Sequence, residues 1–253
     1  MDAALVERLR RAGCVFAEDE ARILLEAAAR GADLESMTSE REKGVPLEHV
    51  VGWADFAGVR VPVDREVFVP RPRSALLVEV AAALLAHGDR LLDLCCGSGG
   101  IGLAIADRVP VDVTATDIDP AAVANARRTL AAIEGAVYQG DLFDGVPRTL
   151  LGRFAVVAVV APYVPRDAID LLPHEARDFE PRVALDGGPD GLEVLRRIVA
   201  EVGSWLTPGG ALVAELGEDQ VDAFVAVLAA DEFRTRVHER DGAIAVAAWP
   251  RAD

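Results

Sequence analysis

The sequence predicts an α/β protein with a doubly wound, mostly parallel sheet and a small N-terminal helical region. From about residue 90 onwards, short apolar runs alternate with amphipathic helical stretches, which is typical of βαβ units. The run FAVVAVV at 154–160 is apolar throughout and suits a central strand buried on both faces. The 253 residues, of which 51% are hydrophobic, suffice for one large domain or for one domain with a small appendage.

The N-terminal region, from residue 1 to about 45, is predicted to form short helices. Its apolar residues recur at helical spacing within charged surroundings, as with Leu5 and Leu9 and then Leu24 and Leu25. Strand character follows between residues 55 and 72. We expect Ser74 to cap a helix over 75–86.

The remaining elements follow from the alternation of apolar runs and amphipathic stretches. Strands are predicted at 90–94, 111–116, 136–139, 154–160, 210–216 and 243–249. Helices are predicted near 101–108, 120–133, 189–206 and 218–230. Strands that alternate with helices form a mainly parallel sheet covered on both faces.

Composition excludes several classes of function. A formal net charge of −16 repels phosphate backbones, so we expect no nucleic-acid partner. No stretch is long and apolar enough for a transmembrane helix, so we expect no membrane association. Three cysteines cannot form a disulfide framework, which favours the cytoplasm. The pair Cys95-Cys96 has no other ligand at metal-binding spacing, and we therefore expect no metal.

The segment LLDLCCGSGGIG at 91–102 has the pattern of a ligand-binding turn. An apolar strand ends at Asp93-Leu94, a glycine-rich turn follows, and Ile101 begins a helix. In doubly wound sheets such a turn binds nucleotide-like ligands, because glycine allows close approach and the helix N-terminus offers free N–H groups. A plain tight turn has the same composition, so this signal alone is weak.

Acidic residues at the next two strand ends strengthen this interpretation. Asp117 lies 24 positions after Asp93, near the spacing expected of a carboxylate that binds ribose hydroxyls. The alternative is that Asp117 or Asp119 only caps the helix that begins at Pro120. Asp141, at the third strand end, is suited to accept a hydrogen bond from an adenine amine. The residues therefore predict an adenosine-containing ligand.

The glycine pattern leaves two ligands open. Gly97, Gly99 and Gly102 formally match the G-x-G-x-x-G expression of dinucleotide-binding proteins. S-adenosylmethionine is bound at a similar turn. The loop by itself does not decide between them.

Several separated motifs together resemble one family. The D-x-x-x-G-S-G loop, the D-I-D-P strand end and the G-D-L-F tip resemble class I S-adenosylmethionine-dependent methyltransferases. The segments 46–78 and 173–192 resemble the HemK/PrmC-type protein N(5)-glutamine methyltransferases, which methylate the glutamine of the GGQ motif in peptide chain release factors. The similarity covers roughly residues 45 to 250.

This resemblance implies a seven-stranded Rossmann-like methyltransferase sheet and S-adenosylmethionine as the cofactor. It divides the chain into a helical region at 1–45, a linker and β-hairpin at 46–72, and a cofactor-binding domain at 73–253. The residues that it places at the cofactor are Phe68, Pro70, Arg71, Asp93, Cys95, Gly97, Gly99, Asp117, Ile118, Asp141 and Leu142.

The catalytic motif of that family departs from its pattern in this chain. The family motif is Asn-Pro-Pro-Tyr, in which the Asn side chain and the next carbonyl accept hydrogen bonds from the target amide. The aligned residues here are Val160, Ala161, Pro162 and Tyr163. Val160 has no acceptor atom, whereas the Ala161 carbonyl and the aromatic wall of Tyr163 remain.

Two further positions depart from the family pattern. Cys95 stands where the family loop has its first glycine. Arg73 and Ser74 replace the Glu and Thr of the family's R-P-E-T.

We therefore expect an S-adenosylmethionine-dependent methyltransferase that acts on a release-factor-type protein. Two alternatives stay open because of Val160: methylation of a small-molecule nitrogen or oxygen acceptor, and a cofactor-binding but catalytically silent homologue. A DNA adenine methyltransferase would need a basic face, which the net charge disfavours. As an assembly we expect a monomer or a homodimer.

Overall fold

The computed structural model describes residues 2–251. The helices are α1 Ala3–Arg11, α2 Ala17–Ala29, α3 Leu34–Glu42, α4 Leu47–Val51, α5 Ala75–Ala82, α6 Gly100–Arg108, α7 Pro120–Leu130, α8 His174–Phe179, α9 Glu193–Val202 and α10 Val221–Ala230. The strands are β1 Trp53–Phe56, β2 Val59–Pro62, β3 Arg90–Leu94, β4 Asp112–Asp117, β5 Ala136–Gln139, β6 Phe154–Val159, β7 Leu206–Leu216, β8 Phe233–Arg240 and β9 Ala243–Pro250.

Helices α1 to α3 form a small helical layer with its own apolar core. Leu9 and Leu24 are fully buried in that core. Asp2 and Asp33 cap α1 and α3 by accepting backbone N–H groups of the first turn. A buried ion pair joins α2 to α3, where Arg41 Nε lies 2.6 Å from Glu20 Oε2. The predicted helical region is therefore present.

The segment that follows holds a short helix and a two-stranded hairpin. Strands β1 and β2 pair antiparallel, with Trp53 opposite Pro62. Helix α4 precedes them, and its His49 Nε2 lies 2.8 Å from the carbonyl oxygen of Val67. This contact holds the helix against the chain that leads to the main sheet.

The main sheet has seven strands in the order β5-β4-β3-β6-β7-β9-β8. Strands β3 to β7 are parallel, and β9 runs antiparallel to both of its neighbours. The run predicted as the central strand is β6, whose residues Val156 to Val159 are fully buried. The predicted doubly wound, mostly parallel sheet is confirmed.

Helices cover both faces of the sheet. Helices α5, α6 and α7 and the hairpin pack on one face, around Leu91, Val156 and Val213. Helices α9 and α10 pack on the other, around Leu92, Val157 and Leu212. Alternate residues of each strand therefore enter opposite cores, which explains why these strands are apolar throughout.

The structure differs from the predicted elements at three places. Strand β8 was not predicted, because it carries charged residues at four of its eight positions and therefore has no apolar run; it pairs only with β9. Helix α5 ends at Ala82, and the buried side chain of Ser74 makes no capping hydrogen bond. Helix α9 covers only the middle of the predicted 189–206. Within residues 2–251, none of the helices has the length and apolarity needed to cross a membrane.

Candidate methyltransferase site

Asp93 lies beneath the glycine-rich turn that joins β3 to α6. Its side chain is buried, and its Oδ2 accepts a hydrogen bond from the Gly102 backbone N–H at 2.8 Å. A Cβ atom on Gly102 would lie 3.1 Å from that same oxygen, so glycine permits the close approach. Burial raises the pKa of Asp93 to about 8, although the Gly102 hydrogen bond opposes the rise. The hydrogen bond between Asp93 of β3 and Gly102 of α6 therefore fixes the two ends of the turn relative to each other.

The turn itself has left-handed backbone at Cys95, Gly97 and Gly99, with φ values of 57°, 51° and 78°. Such backbone costs a residue that carries a Cβ about 1–2 kcal/mol, which accounts for the glycine that the family has in place of Cys95. A Cβ on Gly97 would meet no atom within 4 Å, so the turn leaves open space on that side. Gly99 instead packs against Ala126 of α7.

Asp117, the last residue of β4, holds the turn through its carboxylate. Its Oδ2 accepts the Gly97 N–H at 2.8 Å, and its Oδ1 accepts the Asp119 N–H at 2.9 Å. Each carboxylate oxygen keeps a second lone pair for a ligand. Burial raises the pKa of Asp117. The helix cap is formed by Asp119, which accepts the Ala121 N–H at 2.9 Å, so the capping alternative applies to Asp119.

Three further residues follow the ends of β4 and β5 on the same side of the sheet as Asp117, namely Ile118, Asp141 and Leu142. The side chain of Ile118 is apolar, yet the residue is 47% exposed, so a ligand lying on it would cover apolar surface. Leu142 is buried at the end of β5 with a left-handed φ of 51°. Asp141 beside it forms an ion pair with Arg197 of α9, with 2.8 Å between Oδ2 and Nη2.

Phe68 and Arg71 border the site from the chain that precedes α5. The Arg71 guanidinium lies over the Phe68 ring, with its Cζ 4.6 Å from the centroid. Arg71 also pairs with the buried Glu180, whose Oε1 accepts the Val69 N–H at 3.2 Å. Burial raises the pKa of Glu180, while Arg71 opposes the rise. One buried carboxyl thus holds this segment in place.

The four residues aligned with the family's catalytic motif follow β6 directly. Val160 is half-buried and packs against the core under α5, whereas Ala161 is buried in the opposite core. The carbonyl oxygen of Ala161 accepts no hydrogen bond from any residue within 2–251. Behind the motif, Gln220 donates its Nε2–H to the Tyr163 carbonyl at 2.8 Å. The motif is therefore fixed from behind and presents a free acceptor.

All four motif residues and most of the predicted cofactor-binding residues line one cavity of about 1030 Å³ at the carboxyl ends of the parallel strands. Asp117 and Ile118 line it at the end of β4, and Val160 and Tyr163 line it after β6, with β3 between these two strands. Among the predicted residues, Pro70, Asp93 and Gly99 do not line it. Asp93 and Gly99 lie behind the turn, and their proposed role is to shape it.

Several residues that line this site were not among the predicted site residues. Arg73, Arg197 and much of the segment 164–186 line the cavity. Glu215, in β7, is buried beside them and pairs with Arg73, with Nε 3.1 Å from Oε1. A carboxyl inside the otherwise apolar strand GALVAEL was the available signal, because a buried charge needs a partner.

Comparison with known proteins gives the family. The family model described as "Methyltransferase small domain" matches residues 72–158. A release factor glutamine methyltransferase of Caulobacter vibrioides is 34% identical over 260 residues, which cover 92% of this chain and 89% of that protein. One of Geobacter sulfurreducens is 34% identical over 211 residues, covering 82% and 71%.

The chain belongs to the release factor glutamine methyltransferase family. It is an S-adenosylmethionine-dependent methyltransferase, and the predicted family and cofactor are confirmed. Solved structures agree on the fold. The E. cuniculi Mtq2–Trm112 complex has a TM-score of 0.52 at 21% identity, covering 72% of this chain and 96% of that one. A Pyrococcus furiosus methyltransferase has a TM-score of 0.55 at 17% identity, covering 74% and 87%.

The residues of the cavity fit S-adenosylmethionine. The open space at Gly97 and the free lone pairs of Asp117 suit a ribose, and Ile118 and Leu142 offer an apolar surface for a flat base. The N–H groups of Gly97 and Asp119 hold the Asp117 carboxylate in this position. When bound, this cofactor supplies an electrophilic methyl group on a sulfonium.

Proposed function

We propose that this methyltransferase acts on the side-chain amide nitrogen of a glutamine in a release-factor-type protein. The observation that carries the proposal is the free carbonyl of Ala161 beside Tyr163, at the part of the cavity that adjoins the cofactor residues. The relatives named release factor glutamine methyltransferase, at 34% identity over most of the chain, support it.

In this proposal the motif residues orient the amide. The Ala161 carbonyl accepts one N–H of the glutamine amide, which turns the nitrogen toward the methyl donor. Pro162 and Tyr163 flank the planar amide, and Val160 adds an apolar contact. A direct displacement depends mainly on such orientation and on exclusion of water.

The segment 164–186 borders this part of the cavity with apolar side chains. It is pinned at Val164, whose N–H donates to the Leu185 carbonyl at 3.0 Å and whose carbonyl accepts the Gly187 N–H at 2.9 Å. Leu172, Pro173 and Val183 of the segment give the cavity an apolar lining. An extended loop with small residues, such as one that carries GGQ, suits an opening of this kind.

The test is transfer of a radiolabelled methyl group to purified release factor. We expect one methyl group per protein, located by mass spectrometry on the glutamine of GGQ. The matched control is the same release factor with that glutamine replaced by alanine, which should take up no label. Label on another residue, or none on the release factor, would contradict the proposal.

A second candidate is a small-molecule nitrogen or oxygen acceptor. Val160 favours it, because such an acceptor needs no two-point amide clamp. Label that enters a metabolite extract but not the release factor would select this candidate. Binding of adenosylhomocysteine without transfer to either would select the catalytically silent alternative. The cytoplasm is the proposed compartment, and the free thiols of Cys14, Cys95 and Cys96 support it.

A further inference from the structure

We propose that Arg73 makes the second contact to the acceptor amide, by donating a hydrogen bond to its carbonyl oxygen. This contact takes the place of the asparagine that Val160 replaces. The inference rests on the proposed function, because it assumes that a glutamine amide lies in the part of the cavity lined by Val160, Ala161 and Tyr163, here called the acceptor part. It makes Arg73 the residue that selects the acceptor.

Arg73 is placed to reach that acceptor. It precedes α5 in a short 3-10 turn and lines the same cavity as Val160, Ala161 and Tyr163. Its Cζ lies 5.1 Å from the centroid of the Tyr163 ring, in a cation–π contact. The side chain is 44% exposed, so its head group faces open space rather than the core. A planar amide against Tyr163 would lie next to this guanidinium.

A buried carboxyl fixes the orientation of Arg73. Its Nε donates to Glu215 Oε1 at 3.1 Å, and the Glu215 side chain is only 3% exposed. Within residues 2–251, neither Nη nitrogen of Arg73 has a hydrogen-bond partner. The guanidinium is thus held at its inner nitrogen and keeps both outer nitrogens free to donate.

The strand register puts this pair beside the altered motif position. Val159 is the last residue of β6 and pairs with Ala214 of β7, so Val160 and Glu215 are the residues that directly follow this pair. Val160 packs against the core that holds Val213, and Glu215, two residues after Val213, lies on that same face of β7. The carboxyl that holds Arg73 therefore neighbours the position from which the family's asparagine side chain would extend.

A side-chain amide can be held by one hydrogen-bond acceptor and one hydrogen-bond donor. Its N–H needs an acceptor, which the Ala161 carbonyl supplies, and its carbonyl oxygen needs a donor, which an Arg73 Nη supplies. The Ala161 carbonyl and the Arg73 guanidinium would therefore hold the amide at two points.

Glu215 also indicates which group is missing at position 160, namely a hydrogen-bond donor. Its Oε2 is buried without a hydrogen-bond partner among the described residues. An asparagine at position 160 would bring an amide N–H donor next to that oxygen and turn its own carbonyl toward the acceptor. The Val160→Asn change should therefore rebuild the clamp without Arg73.

The experiment compares kcat/KM for release factor among Arg73→Met, Arg73→Lys and the double variant Arg73→Met/Val160→Asn. A lost charge-assisted hydrogen bond predicts a decrease of about 10- to 100-fold for Arg73→Met. Arg73→Lys should fall between, because an ammonium cannot span Glu215 and the amide. The double variant should recover at least a third of the wild-type value.

The matched control is Arg234→Met, since Arg234 also stacks on an aromatic ring, 4.8 Å from Trp249, but on the distant edge strand. It should leave kcat/KM unchanged. Calorimetry should give the same adenosylhomocysteine affinity for all variants. In the adenosylhomocysteine complex, Arg73→Met should bind a GGQ peptide about 10-fold more weakly than the wild type.

The outcomes separate this inference from the proposed function. If the wild type methylates the glutamine and Arg73→Met does so equally well, the role of Arg73 is refuted while the function stands. If the wild type prefers a peptide with glutamate at the target, the free nitrogens hold a carboxylate and the amide contact is refuted. If the wild type neither binds nor methylates the glutamine, the proposed function fails and this inference with it.

Discussion

The buried carboxyl of Asp93 predicts an unusual dependence of stability on pH. Its pKa is about 8 in the folded protein, against an ordinary value of 3.8. Between these values the folded state binds more protons than the unfolded state, so the free energy of unfolding decreases as the pH rises. The stabilising contribution is complete below the unfolded pKa and is lost by the time the pH exceeds the folded pKa.

The size of the effect follows from the same shift. One pKa unit corresponds to about 1.4 kcal/mol, so Asp93 should lower the free energy of unfolding by about 3 kcal/mol between pH values of about 5.5 and 8. Asp93→Asn retains an oxygen that accepts the Gly102 N–H but cannot ionise. The variant should therefore lack this contribution to the slope.

The assay is urea unfolding of the cofactor-free protein, followed by circular dichroism across this pH range at constant salt. The difference in free energy between Asp93→Asn and wild type should shift in favour of the variant by about 1.4 kcal/mol per pH unit. The matched control is Asp112→Asn at an exposed strand end, which should leave the wild-type slope unchanged. Parallel curves for Asp93→Asn and wild type would refute the reasoning.

Three further predictions concern the turn, the ribose end and the helical layer. Cys95→Gly should raise the free energy of unfolding by about 1 kcal/mol in urea titrations, because the residue has left-handed backbone; a destabilised variant would argue against strain there. Asp117→Ala should weaken adenosylhomocysteine binding about 10- to 100-fold by calorimetry, because it removes a charged acceptor; unchanged affinity would exclude the ribose contact. Arg41→Met should cost about 3–5 kcal/mol in urea unfolding, because it leaves Glu20 buried and unpaired. The control is the exposed ion pair of Arg8 with Glu35, and Arg8→Met should lower the free energy of unfolding by less than about 1 kcal/mol. Equal decreases for the two variants would refute the distinction between buried and exposed ion pairs.

The parts of the fold that follow from the sequence are those where a local pattern and its packing agree. The apolar run of β6 predicts a central strand because both of its faces are covered. The cap formed by Asp119 before Pro120 is a purely local signal, and the structure contains it. Strand β8 carries no such signal, because an edge strand with one exposed face tolerates charges, here at four of its eight positions.

The residues of the site likewise fall into those that the sequence pattern predicts and those that it does not. The glycine-rich turn and Asp117 are near each other in the sequence pattern of one βαβ unit, so their proximity was predictable. Arg73 and Glu215 are 142 positions apart, and only the sheet order brings them together. Arg197 reaches Asp141 across 56 positions for the same reason. Long-range pairs of this kind leave no spacing rule in the sequence.

Arg41 has a consequence for any attempt to shorten this protein. Besides Glu20, it contacts Glu175 of α8, at 2.7 Å between Nη1 and Oε1, and α8 lies within the cavity-lining segment. A fragment that begins at residue 46 would lose this brace and would also leave Arg60 without its Glu26 partner and Arg65 without Glu40. Truncation would therefore leave the segment that lines the acceptor part of the cavity less firmly held, while the residues that bind the cofactor stay in place. Such a fragment should still take up adenosylhomocysteine while methylating poorly.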